Sequence, residues 1–346
     1  MENVIMGINE VNVSNWMSEH VGAATPLSFE LIAGGRSNLT YRVTDAHAKS
    51  FALRRPPVSH VLPTAHDMVR EHTIISALYP LDIPVAEPLG LCTDESVNGR
   101  PFYVMEFVNG AILRTRDDAQ RTFEYDRRRL IGDNLAATLA QLHDVDVEKA
   151  GLAQLARHEG YIERQLRRWR TQYEQMSVEG VDYGGIVEAV GDQLAASIPT
   201  QQRVSVVHGD YRLDNTVLDD EGAVRAILDW EICTLGDPMA DLGLLLVYWA
   251  EPDDPTEALL GAAPTTAPGF STREEVLAAY ARHSDLDVSH VAYYQSFGYW
   301  KLACIMQGVF ARYSAGATAG DQGSVAEYPQ HITMLVEMAK QTLEQH

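Results

Sequence analysis

The chain has 346 residues, 46% of them hydrophobic, so it is globular and exceeds the length at which one core keeps growing; two lobes or domains are expected. A formal net charge of -21 at pH 7 argues against nucleic acid and anionic membrane as partners. Cys92, Cys233 and Cys304 lie far apart without a CxxC pair. This argues against a disulfide framework or a zinc site and for a reduced, cytoplasmic setting. The opening MENVIMGINEVNVSNW has no apolar core of signal-peptide length, and the longest apolar run, LGLLLVYWA at 242–250, is too short to span a bilayer.

Residues 10–22 have the spacing of a short amphipathic helix. LSFELIAGG, NLTYRVT and SFALRR are short alternating segments separated by Gly34-Gly35 and DAHAKS, the pattern of a β-meander. TAHDMVREHTIISALYP places Met68, Ile75 and Leu78 at helical spacing, with Thr64 as the expected cap and Pro80 as the stop. PVAEPLGLCTD and RPFYVMEFVNG predict two more strands around the turn SVNGR. The first hundred-odd residues therefore predict a five-stranded antiparallel sheet with one inserted helix.

Beyond Gly110 helical periods dominate. RRRLIGDNLAATLAQLHDVD predicts a helix with Leu130, Leu135, Leu139 and Leu142 along one side, and YIERQLRRWRTQYEQM predicts another. The basic cluster RQLRRWR (164–170) reads as a solvated helix face. VSVVHGDYRLDN and AVRAILDW read as short strands around loops. After Asp241 the pattern is helical almost to the end, interrupted by a Pro-, Ala- and Thr-rich loop at 251–270. The expected organisation is α+β: a small, mostly β lobe (1–105), a hinge (106–111) and a larger, mostly α-helical lobe (112–346).

The chemistry concentrates in HGDYRLDN, at 208–215, and in Asp229 of AILDWE. Phosphoryl transfer from ATP needs a carboxylate to orient the hydroxyl, oxygen ligands for Mg²⁺, and positive charge on the phosphates. Asp210 precedes Asn215 by five positions, the spacing of the kinase catalytic loop H-R-D-x-x-x-x-N. His208 and Gly209 fill the places of that loop's histidine and arginine. Asp229 ends an apolar strand, where a second metal-binding aspartate is expected. A D-x-x-x-x-N pair alone is ordinary turn chemistry; strand, HGD, asparagine, short hairpin and LDW together are specific.

HGDYRLDN with ILDWE resembles the aminoglycoside phosphotransferase family, which shares the protein-kinase-like fold with choline and homoserine kinases. The resemblance covers roughly residues 25–315. LRRPP and GDPMADLGLLL resemble a subgroup whose members are fused to, or encoded with, acyl-CoA dehydrogenases. The resemblance implies a two-lobe protein-kinase-like fold, ATP or GTP as co-substrate, Mg²⁺ as cofactor and a hydroxyl-bearing small molecule as acceptor. It makes Asp210 the catalytic base and Asn215 and Asp229 the metal ligands.

The small lobe fits the same frame. FALR (51–54) stands where kinases carry V-A-I-K, and strand alternation puts Ala52 and Arg54 on one face, with Phe51 and Leu53 on the other. Ala52 would floor the adenine and Arg54 would meet the phosphates. The family more often has lysine there; arginine keeps the charge and can bind phosphate oxygens in a bidentate way. Alternation turns Arg55 to the opposite face. Glu71 is the expected partner of Arg54. AGGRSNLTYRV (33–43) takes the place of a phosphate-covering loop, with Ser37 and Asn38 offering backbone N–H groups. It is neither G-x-G-x-x-G nor a P-loop, which disfavours a P-loop NTPase. At the hinge, backbone groups near Glu106 and Val108 would read the adenine edge, with Met105 at the back of the pocket.

Asp237 and Asp241 read as braces for the catalytic loop, His208 as structural, and His143 as packing or capping near its helix end. YYQSFGYW (293–300) reads mostly as core, with one or two of its rings, together with Tyr248 and Trp249, as candidates for the acceptor pocket; Lys301 and Arg312 read as surface cations, with contact to an anionic substrate as the alternative. The segment 290–315 holds no dense acidic cluster, which argues against polycationic antibiotics and for a partly apolar or anionic acceptor. The alternative is a catalytically degenerate nucleotide-binding or regulatory protein. Arg54 is its only support, and retention of Asp210, Asn215 and Asp229 opposes it. A protein kinase is disfavoured because Asp229 to Asp241 is too short for an activation loop. The acceptor, the choice of ATP or GTP, and the oligomeric state stay open at this level.

Overall fold

The computed structural model describes residues 5–33, 38–58, 67–155, 160–255, 263–316 and 325–345. The small lobe is built on one antiparallel sheet of β1 (Ser28–Ala33), β2 (Leu39–Thr44), β3 (Ser50–Arg55), β4 (Pro88–Cys92) and β5 (Phe102–Glu106), in the order β1-β2-β3-β5-β4. Its two faces follow the period-2 alternation. Phe51, Leu53, Phe102 and Val104 pack with Val13 and Met17 of α1 (Glu10–His20). Ala52, Arg54, Tyr103 and Met105 face the other way, toward α2 (Met68–Leu78) and the large lobe.

Asp67 caps α2 by accepting from the Arg70 N–H at 3.0 Å; the expected cap, Thr64, lies outside the described residues. Pro80 ends the α-helix as anticipated, within a 3₁₀ turn at Tyr79–Leu81. SVNGR is more than a turn: Glu95–Asn98 forms a short helix, α3, closed by Gly99 at φ 72°. That left-handed closure is the usual use of glycine after a helix.

The large lobe contains α4 (Arg116–Thr122), α5 (Tyr125–His143), α6 (Tyr161–Gln175), α7 (Ile186–Ala196), β6 (Ser205–Val207), β7 (Thr216–Leu218), β8 (Val224–Ile227), β9 (Thr234–Gly236), α8 (Met239–Tyr248), α9 (Arg273–His283), α10 (Val291–Ser314) and α11 (Tyr328–Glu344). Strands β6 and β9 pair, as do β7 and β8. Every residue of α8 from Met239 to Val247 is buried. Gly243 permits the close contact with α10, since a Cβ there would sit 2.4 Å from the Tyr294 carbonyl carbon.

The apolar stripe of α5 differs from the expectation in one residue. Leu130 is 43% exposed, and the buried stripe is Ile131, Leu135, Leu139 and Leu142. The spacing explains this. Steps of 4, 4 and 3 keep to one face of a 3.6-residue helix, whereas the five-residue step from 130 to 135 leaves it. Between the lobes, Ala111 and Leu218 exchange backbone hydrogen bonds of 2.8 Å, tying the chain after β5 to the β7–β8 hairpin.

Candidate active site

Strand β6 delivers His208, Gly209 and Asp210 to the cleft between the lobes. Asp241, at the start of α8, accepts the backbone N–H of His208 at 2.6 Å on one carboxylate oxygen and that of Gly209 at 2.8 Å on the other. Burial pushes this carboxyl up, but the hydrogen bond and charge of His143, with His208 and the Gly209 N–H, hold it below the usual range. The His208 ring is equally engaged: Nε2 donates to the Leu228 carbonyl at 2.8 Å and Nδ1 accepts from the Asp210 N–H at 3.3 Å. His208 and Asp241 therefore fix the loop, the role expected of both.

Asp237 does something else. It accepts from the Met239 N–H at 3.1 Å and the Tyr294 hydroxyl at 2.7 Å, fastening α10 to the start of α8 and not the catalytic loop. Burial pushes its carboxyl up. His143 packs inside the lobe, bonded to the Tyr280 hydroxyl at 2.7 Å and 3.5 Å from Asp241.

Asp210 faces the cleft beside Asn215. The Asn215 Nδ2 donates to the Asp210 carbonyl at 2.8 Å and to Asp210 Oδ2 at 2.9 Å. That assigns the amide nitrogen inward and leaves Oδ1 for another partner. The Asn215 carbonyl accepts from the Leu228 N–H at 2.8 Å, which brings Asn215 next to Asp229. Asp229 sits at φ 63°, a left-handed conformation uncommon for a residue with a Cβ. The reversal ends β8 and turns the carboxylate toward Arg54. One carboxylate and one amide oxygen form a hard donor set that fits Mg²⁺, which retains several waters. Among the described residues no cluster of three or more His, Cys, Asp or Glu could hold a metal.

Arg54 is the hub on the small-lobe side. Its Nε donates to Glu71 at 2.8 Å, its Nη1 to the Thr40 hydroxyl at 3.2 Å, and its Nη2 to Asp229. Burial alone would lower its pKa; Glu71 foremost among the surrounding groups raises it, so the charge is secured. Glu71 is itself buried and also accepts from Tyr103 Oη at 3.0 Å and Asn38 Nδ2 at 2.7 Å. Asn38 thus acts here through its side chain, which also reaches Glu231 at 3.2 Å, while its own Oδ1 is buried without a partner. Ser37 lies outside the described residues. Arg55 turns away, as alternation requires, and bonds the carbonyls of Gly7 and Pro56. Arg70, beside Glu71, bridges the lobes by donating to Leu155 O at 2.9 Å and Cys233 O at 3.0 Å.

Two cavities meet this centre. One, of about 390 Å³, is lined by Ala52, Arg54, Met105, Val108, Asn215 and Asp229. Glu106 also borders it, with its N–H spent on Glu87 O at 2.9 Å. The other, of about 330 Å³, opens on Asp210 from the large-lobe side. Its walls include Trp169, Tyr248, Leu302 and Ile305.

A sequence profile described as "Phosphotransferase enzyme family" matches residues 28–279. The chain belongs to that family. Among curated relatives, the mouse acyl-CoA dehydrogenase family member 10 is 34% identical over 300 residues, covering 85% of this chain but 28% of that protein. The phosphotransferase chain thus spans under a third of that relative. A candidate aminoglycoside phosphotransferase from Ralstonia eutropha superposes with a TM-score of 0.80 at 29% identity, covering 97% of this chain and 98% of the other. A choline kinase from Cryptosporidium parvum (TM-score 0.65, 14% identity, 96% of each chain) shares the fold. So does an amicoumacin kinase in complex with AMP-PNP and Ca²⁺ (TM-score 0.60, 15% identity, 97% of this chain and 94% of that one). The two-lobe, protein-kinase-like α+β fold is that of this phosphotransferase.

Around the second cavity some residues follow the expectations and others depart from them. Lys301 is no surface cation: it is 8% exposed, and its Nζ donates to the Gly209 carbonyl at 3.0 Å. Burial pushes its ammonium pKa down, and Asp210 and Asp241 pull it back. The basic helix α6 is not wholly a solvated face, because Gln165, Arg168, Trp169 and Gln172 line the second cavity; Arg170 pairs with Asp192 at 2.6 Å. Arg312 is exposed but borders the same cavity. Tyr248 lines it too, and burial first, then Asp210, pushes its phenol up. Trp249 is buried and bonds Ser271 O at 2.8 Å. Arg212, two residues after Asp210, stacks on Tyr248 at 4.6 Å and pairs with Asp214 at 2.8 Å. Its signal was a base inside the catalytic loop.

Proposed function

We propose that this phosphotransferase is a small-molecule kinase that moves the γ-phosphoryl of ATP, or GTP, to a hydroxyl of a metabolite, with Mg²⁺. The observation that carries the reading is the position of Asp210 and Asn215 between two cavities, with Asp229 beside Asn215 and Arg54 reaching Asp229 from the small lobe. In this reading the cavity at Ala52 and Met105 takes the nucleotide and the cavity at Trp169 takes the acceptor. Residues 106–111 act as the hinge, where Val108 N–H has no partner among the described residues and is free to meet the adenine edge.

Asp210 orients the acceptor hydroxyl and takes its proton as the oxygen attacks the γ-phosphorus and the bond from that phosphorus to the β-phosphate oxygen breaks, releasing the nucleoside diphosphate. Asn215 holds that carboxylate in place. Arg54, kept in position by Glu71, offers its guanidinium to the phosphates. Asn215 Oδ1 and Asp229 would hold Mg²⁺, which supplies positive charge to the phosphate oxygens. Such transfer depends mainly on positioning and charge stabilisation. The amicoumacin kinase complex, with its nucleotide analogue and divalent ion, supports the nucleotide and metal assignments at the level of the fold. The name of the mouse relative directs the acceptor search to hydroxylated acyl compounds. Three buried free cysteines fit a reducing, cytoplasmic location. Among the described residues no helix is long and apolar enough to cross a membrane.

The test is transfer of labelled γ-phosphate from ATP and from GTP to a panel of hydroxy compounds with Mg²⁺, using wild type and Asp210→Asn. Transfer by wild type and its loss in the variant are expected. Mg²⁺-dependent nucleotide binding without transfer to any compound, and without hydrolysis, would favour the degenerate nucleotide-binding protein.

A further inference from the structure

We infer that the cavity beside Asp210 is an oxyanion-binding acceptor site, made for a hydroxy compound with a carboxylate or phosphate on an apolar body. This rests on the kinase reading for its role, but the binding chemistry stands on its own.

The chain as a whole is strongly acidic, with 48 Asp and Glu against 27 Lys and Arg. This cavity has the opposite balance. Lys301 lies on its wall, and Arg168 and Arg312 stand at its exposed rim, while Asp210 is the single carboxylate among its described lining residues. None of the three cations has a carboxylate within ion-pair distance among the described residues. Several other arginines here do: Arg127, Arg129, Arg170, Arg203, Arg273 and Arg282 each hold a carboxylate. Unpaired cations converging on one concavity, in a chain with acids to spare, form a site for an external anion.

Lys301 is the decisive member. A buried ammonium is costly unless compensated. It has one neutral acceptor, the Gly209 carbonyl, and the aromatic ring of Trp169 at 5.8 Å. An ammonium has three donors, so capacity remains for a ligand oxygen beside Asp210. The Arg168 guanidinium lies 5.0 Å over the same Trp169 ring, which holds it at the cavity edge. Leu244, Leu302, Ile305 and Ile232 supply the apolar wall. A cationic amino alcohol finds no carboxylate here other than Asp210, which is reserved for the hydroxyl.

Calorimetric titration of the nucleotide-free protein tests this with four six-carbon probes that share a terminal hydroxyl: hydroxyhexanoate, hydroxyhexyl phosphate, hexanediol and aminohexanol. A charge-assisted contact predicts that one or both anions bind about tenfold tighter than the diol, with aminohexanol weakest. The advantage should shrink severalfold in the Arg168→Gln/Arg312→Gln double variant, whose substitutions are at exposed positions. Preference for the carboxylate points to a hydroxy acid, and preference for the phosphate to a phosphorylated acceptor. Equal or tighter binding of hexanediol or aminohexanol, an anion advantage unchanged in the double variant, or no binding of any probe would overturn the inference. Stabilisation by Mg²⁺-ATP is measured in parallel. Its absence with anion binding intact would remove the kinase reading and leave the oxyanion site standing.

Discussion

Asn215 grips Asp210 twice, through the carbonyl at 2.8 Å and through Oδ2 at 2.9 Å. The same side chain thus fixes the carboxylate proposed to meet the acceptor and leaves Oδ1 for the proposed metal. Asp210→Asn should lower kcat by about 10²–10⁴-fold, the range for loss of a positioned base, with nucleotide KM little changed. Asn215→Leu should lower kcat and also raise the Mg²⁺ requirement. Because the two residues act as a unit, the double variant should be only slightly worse than the worse single variant in steady-state assays.

Arg54 serves three partners at once, Glu71, Thr40 and Asp229. Lysine keeps the charge but has a single nitrogen. Arg54→Lys is expected to fold and to raise nucleotide KM while retaining turnover. Arg54→Met leaves the buried Glu71 carboxylate uncompensated and should cost about 3–5 kcal/mol in urea unfolding.

Asp237 and Asp241 lie four residues apart and should respond to pH with opposite signs. Asp241 has a lowered carboxyl pKa, so it contributes stability above the unfolded value of about 4 and loses it as pH falls. Asp237 has a raised one, so its contribution is complete below that value and is lost as pH rises through the folded pKa. Urea unfolding from pH 7 down to pH 3 should therefore show the gap between wild type and Asp241→Asn narrowing. The gap between wild type and Asp237→Asn should move in favour of wild type. At neutral pH, Asp241→Asn also turns an amide NH₂ toward a backbone N–H and should cost about 1–3 kcal/mol.

Gly243→Ala tests the packing of α8 on α10. The added methyl would meet Tyr294 backbone at 2.4 Å, so the helices must separate. A loss of about 1–3 kcal/mol is expected, read as a lowered thermal midpoint.

What was legible in the sequence had a local period or a short spacing. Ala52 and Arg54 share a face because strands alternate. Asp210, Asn215 and Asp229 converge because one loop and one hairpin carry them. For Lys301 and Arg312 the sequence favours a surface role over contact with an anionic substrate, and Arg168 leaves no trace at all, since a cation on a helix reads the same whether it meets solvent or a cavity 90 residues away in the chain. Leu130 was misplaced by a single helical step. Asp237 and Asp241 read alike as braces for the loop, while of the two the fold gives that work to Asp241.

The central claim is that one cleft binds a metal–nucleotide complex through Asp229 and acts through Asp210. Its most direct test is the thermal midpoint of the protein titrated with ATP and GTP, each with and without Mg²⁺. The account predicts a Mg²⁺-dependent rise with at least one nucleotide, lost in Asp229→Ala and kept in Asp210→Asn. No rise with either nucleotide at millimolar concentration, or a rise indifferent to Asp229, would contradict it.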